Sequence, residues 1–84
     1  MTNIVKKRNL YKVRSIYGIE LPNIKTGDLI YINGIDQKGY KFVWTNLRTG
    51  IVHRNAQMHI FKIHEFSELL AENMDYKMAK LLYG

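Results

Sequence analysis

Cations interleaved with ring side chains are the feature of this sequence most able to do chemistry. Lys6, Lys7, Arg8, Lys12 and Arg14 form a dense amino-terminal set. Lys38, Lys41, Arg48 and Arg54 stand around Tyr40, Phe42 and Trp44 in the middle of the chain. Phosphate groups need cations within hydrogen-bond reach, and bases stack on exposed rings at about 1–3 kcal/mol each. The pattern therefore points to DNA or RNA. Lys6, Lys7, Arg8, Lys12, Arg14, Lys41, Arg48 and Arg54 are the expected phosphate contacts, and Tyr31, Tyr40 and Trp44 the candidate stacking rings. Trp44 has a second reading, since a thin core needs large side chains. Tyr31 and Tyr40, with polar ends, are the better candidates for exposure.

Other chemistries lack their residues. His53, His59 and His64 are separated by six and five positions, which fits no known zinc spacing, and no cysteine assists them. No metal or cofactor is expected. Ser15 and Ser67 are the only serines, and neither lies in a nucleophile motif. The acids are scattered, so no general acid–base pair stands out. The glycines are spread as turn residues rather than gathered in a phosphate loop. A binding module is expected, not an enzyme.

The charge is unevenly placed. The chain carries a net +6, and residues 1–64 hold eleven Lys or Arg against Glu20, Asp28 and Asp36. Residues 65–84 hold Lys77 and Lys80 against Glu65, Glu68, Glu72 and Asp75. A basic body with a slightly acidic tail implies two surfaces with different work. No apolar run approaches a membrane span, and no apolar stretch follows the first cations as in a signal peptide. A cytoplasmic protein without membrane contact is the expectation. Ile, Lys and Asn supply 26 residues while Ala supplies three, a bias common in AT-rich bacterial and phage genomes. That bias, with the small size, raises a second class of function: a phage-type protein that inhibits or redirects an acidic host protein.

These residues need a scaffold of 84 positions, enough for one thin-cored domain. Leu10–Tyr17 alternates at period two and predicts a strand. Asp28–Ile32 predicts a second, halted by Asn33-Gly34. Tyr40–Thr45 predicts a third, and Leu47-Arg48-Thr49-Gly50 turns the chain back into Ile51–Arg54. Ile60–Ile63 is the expected fifth strand. Phe66, Leu69, Leu70, Met74, Met78, Leu81 and Leu82 then recur at three and four residues, which predicts one amphipathic helix. Asp75 could divide it; a single helix is preferred. The expected fold is mainly β, a small five-stranded barrel with a C-terminal α-helix. Its parts are a basic arm over 1–9, a barrel over 10–64 and a helix over 65–84 packed on or beside it. Met74, Tyr76, Met78 and Tyr83 on that helix could meet a partner or a second copy in a homodimer.

Several short pieces resemble SH3 domains. Leu10-Tyr11 followed by Glu20-Leu21 and then Ile24-Lys25-Thr26-Gly27-Asp28-Leu29-Ile30 is similar to that family's opening strand, long loop and second-strand entry. Leu47-Arg48-Thr49-Gly50 resembles the distal hairpin, and Ile51-Val52-His53-Arg54-Asn55 the last crossing. The resemblance covers residues 10–63 and implies an SH3-like barrel of the bacterial or phage type. It does not imply binding of proline-rich peptides. The acidic loop is reduced to Glu20, the tandem Trp positions align with Lys41 and Phe42, and the groove proline is replaced near His53 and Arg54. Bacterial and phage barrels of this type bind nucleic acid, ribosomal parts, cell wall or other proteins.

Overall fold

The computed structural model describes residues 6–15, 24–35, 42–55 and 63–83. They form five antiparallel strands: β1 Leu10–Val13, β2 Leu29–Ile35, β3 Phe42–Asn46, β4 Val52–Asn55 and β5 Ser67–Ala71. A single helical turn, α1 Ile63–Phe66, precedes β5, and helix α2 Tyr76–Tyr83 ends the chain's described part. The sheet order is β4-β3-β2-β1-β5, so the last strand returns to lie beside the first. The protein is mainly β with a C-terminal helix. No helix among the described residues is long and apolar enough to cross a membrane.

Register explains which side chains enter the core. Tyr11 lies opposite Ile30, and Ile32 opposite Trp44, so these residues share one face. With Val13, Ile24, Ile63 and Phe66 they form the main core. Leu10 lies opposite Tyr31 on the reverse face, where Leu47 and Ala79 complete a second cluster. The sheet is therefore covered on both faces at Leu10 and Tyr31, by the core on one side and α2 on the other, while the reverse face of β1 opens at Lys12. Each fully buried aliphatic or aromatic side chain contributes about 1.5–3 kcal/mol, so this second layer matters in a chain of 84 residues.

β2 runs through Asn33-Gly34 instead of stopping there, because a bulge between Ile32 and Gly34 absorbs the irregularity. The β3–β4 turn closes through Gly50, whose φ of 76° suits a residue without Cβ. Its N–H donates to the Asn46 carbonyl at 2.7 Å.

The carboxy-terminal expectations need correction. Ile63 opens α1 rather than ending a strand, and residues 60–62 lie outside the described set. The single helix over 65–84 does not form: Glu65 and Phe66 end α1, Ser67–Ala71 is β5 and only the last part is α2. Spacing at three and four fits a helix, but the open edge of β1 offers a row of unpaired N–H and C=O groups. Ser67, Glu68 and Leu69 pair with Val13, Lys12 and Tyr11 instead. Asn73 then turns the chain at φ 50°, and Asp75 caps α2 by accepting from the Lys77 N–H at 3.0 Å.

Candidate nucleic-acid interface

The amino-terminal cations stand on fixed backbone. Residues 6–9 make a turn, with the Asn9 N–H donating to the Lys6 carbonyl at 3.1 Å. The Arg8 N–H donates to the Ile32 carbonyl at 2.8 Å, and the Arg8 carbonyl accepts from the Met74 N–H at 2.9 Å. The expected basic arm is thus, over its described part, clamped between β2 and the approach to α2. Arg8 adopts a φ of 74°, a left-handed conformation that costs a non-glycine residue about 1–2 kcal/mol. Lys6, Lys7 and Arg8 are all exposed.

β1 continues the run. Lys12 is exposed on the strand's outward side, opposite Leu29 on β2 and Glu68 on β5. Arg14 is exposed just beyond β1; its guanidinium donates to the Ser67 carbonyl at 3.4 Å. Lys6, Lys7, Arg8 and Lys12 have no ion-pair partner among the described residues. Five exposed cations thus fall within nine positions, four of them without an ion-pair partner among the described residues, with Glu68 across from Lys12 and Asp75 near Arg8 around Tyr31.

The ring candidates are placed differently. Trp44 is 0% exposed and belongs to the main core, stacked on His53 with centroids 4.2 Å apart and planes 16° from parallel. Its inward position on β3 follows from pairing with Ile32. Trp44 Nε1 and His53 Nε2 are buried without a hydrogen-bond partner among the described residues. Tyr31 is also buried, not exposed: its hydroxyl donates to the Met74 carbonyl at 2.8 Å and its ring meets Tyr76 edge-on at 5.3 Å. Burial pushes the Tyr31 hydroxyl up, partly offset by the nearby Arg8 charge. Neither ring can stack on a base. Tyr40 and Lys41 lie outside the described residues, and of Arg54 only the backbone, in β4, is described.

Arg48 has structural work. Its Nε lies 2.7 Å from Asp28 Oδ1, and Nη2 donates to Oδ2 at 3.1 Å. The same carboxylate accepts from the Lys25 N–H and from Asn46 Nδ2. Burial pushes the Asp28 carboxyl up, but the hydrogen bonds from Arg48, Asn46 and Lys25, with the Arg48 charge, more than reverse this and leave it below its ordinary value. Arg48 ties the β3–β4 turn to the start of β2. Sequence reading missed this pairing, although an Asp opening one strand and an Arg in a facing turn were a usable signal.

The helix candidates divide. Met74 and Tyr76, both half-buried, pack against the second cluster. Met78 and Tyr83 are exposed, and so are Leu81 and Leu82. Lys25, an exposed cation in the turn before β2, was not among the expected contacts. Comparison with protein-family models, curated proteins and solved structures finds no match to this chain.

Proposed function

We propose that this chain is a non-enzymatic nucleic-acid-binding module that holds the phosphate backbone along Lys6, Lys7, Arg8, Lys12 and Arg14. The carrying observation is the exposed, largely unpaired cation run anchored on a hydrogen-bonded turn and β1. The SH3-like barrel reading is supported by five antiparallel strands, the last returning beside the first, as closing a small barrel requires. With Tyr31 and Trp44 in the interior, neither of these rings contributes stacking and the reading rests on charge; Tyr40, the third candidate ring, lies outside the described residues. Binding is then salt-sensitive and only weakly sequence-selective. The test is fluorescence anisotropy with labelled DNA and RNA of random sequence at two salt concentrations. Affinity that falls steeply with salt supports the reading; salt-independent affinity, or none at low salt, removes it.

A second reading gains from the same burial. Exposed cations with Tyr31 and Trp44 turned inward also fit an acidic protein surface, including that of a bacterial host factor bound by a phage-type inhibitor. Capture of a bacterial protein that persists after nuclease treatment, and is lost when Lys6, Lys7 and Lys12 become Glu, favours it.

A further inference from the structure

The acids of the carboxy-terminal segment run beside the cations of β1 in reverse order. Glu65 precedes Phe66, whose carbonyl accepts from the Arg14 and Ser15 N–H groups at 2.8 and 3.2 Å. Glu68 lies opposite Lys12 across the β1–β5 pair, where facing Cβ atoms stand about 5 Å apart. Glu72 follows Ala71, the partner of Leu10, and Asp75 follows Met74, whose N–H donates to the Arg8 carbonyl. All four acids are exposed, and none is ion-paired among the described residues. The other flank of β1 differs. There Lys12 faces Leu29, and the Gly27 N–H donates to the Val13 carbonyl at 2.8 Å, which sets the turn over 25–28 beside Arg14. Lys25 is exposed without an ion-pair partner among the described residues, its N–H held by the Asp28 carboxylate at 2.8 Å. Asp28 itself is buried and paired with Arg48, so its charge is already matched.

We infer that a bound nucleic-acid strand lies on the β2 flank of the cation row, kept off β5 by the four carboxylates, and gains a further phosphate contact at Lys25. The inference rests on the nucleic-acid reading and adds which side of the row is used. A phosphate reaching Lys12 from the β5 flank meets the Glu68 carboxylate at close range, and like charges repel. From the β2 flank it meets Leu29, with Arg14 and Lys25 beyond. The acids also cancel most of the row's charge at a distance, so binding is weaker than five cations alone would give.

Fluorescence anisotropy with a random-sequence DNA duplex at about 0.1 M salt, where the Debye length is about 10 Å, tests the inference. Glu68→Gln should tighten binding about two- to fivefold, the range expected of exposed charge pairs. Val52→Lys makes the same change in net charge on β4, three strands and about 14 Å from β1, and should leave affinity as in wild type. Lys25→Ala should flatten the plot of log affinity against log salt by about 0.9. All three positions are exposed, so circular dichroism and melting should match wild type. Glu68→Gln protein that binds no tighter than wild type, or no tighter than Val52→Lys, overturns the inference. So does an unchanged slope for Lys25→Ala. Wild-type protein that fails to bind removes the nucleic-acid reading and this inference together, whereas wild-type binding with unaltered variants removes the inference alone.

Discussion

Replacing Arg8 by Gly should make the protein more stable and a poorer binder. Arg8 sits at φ 74°, which costs an L-residue about 1–2 kcal/mol. Glycine relieves that cost but loses about 0.5–1 kcal/mol more conformational freedom on folding. The side chain is exposed and both backbone hydrogen bonds survive the change. The net expectation is a gain of about 0.5–1 kcal/mol, a rise of roughly 2–8 °C in Tm for a domain of this size. Loss of one phosphate contact should flatten the plot of log affinity against log salt by about 0.9 on duplex DNA. Arg8→Lys keeps charge and strain and should preserve both properties. Asn73→Gly, at φ 50°, should raise Tm without altering the salt slope. Thermal denaturation and salt-dependent anisotropy on these variants give the answer. A lower Tm for Arg8→Gly would show that the guanidinium is structural, and an unchanged slope would remove Arg8 from the interface.

The interior yields further expectations. Asp28→Ala strips the Lys25 N–H, Asn46 and Arg48 of their shared acceptor and should cost about 2–3 kcal/mol in urea denaturation. Because folding lowers the Asp28 carboxyl, its contribution is full above the unfolded value of about 3.9 and is lost as pH falls through the lower folded value. Wild-type urea midpoints should therefore drop with pH in that range more than those of Asp28→Asn. Tyr31→Phe removes the bond to the Met74 carbonyl and should cost about 1 kcal/mol, with nucleic-acid affinity unchanged by anisotropy. Trp44→Phe loses core volume but also a buried N–H without a partner among the described residues, so a loss of about 1–2 kcal/mol is expected. Its affinity should equal wild type; a large drop would return Trp44 to the interface.

The β part of the fold was legible because its signals are local. Alternation in Tyr11 and Val13 and the turn Leu47–Gly50 each act within a few residues. What stayed hidden depends on partners distant in sequence. Ser67–Ala71 has helical spacing, yet the vacant edge of β1 made it a strand. Tyr31 has a polar end that suggests exposure, yet the Met74 carbonyl satisfies it inside. Arg48 looks available until Asp28, twenty positions away, is brought against it. The cation run from Lys6 to Arg14 was visible in sequence, but its rigid clamp to Ile32 and Met74 was not.

The most direct measurement is the salt dependence of nucleic-acid affinity for wild type beside a Lys6→Ala, Lys7→Ala, Lys12→Ala triple variant. None of the three is buried or ion-paired among the described residues, so the variant should fold as wild type does. A steep slope for wild type, reduced by about 2–3 in the variant, is the expected result on duplex DNA. Equal slopes and affinities for the two proteins would contradict the assignment of this strip to phosphate binding.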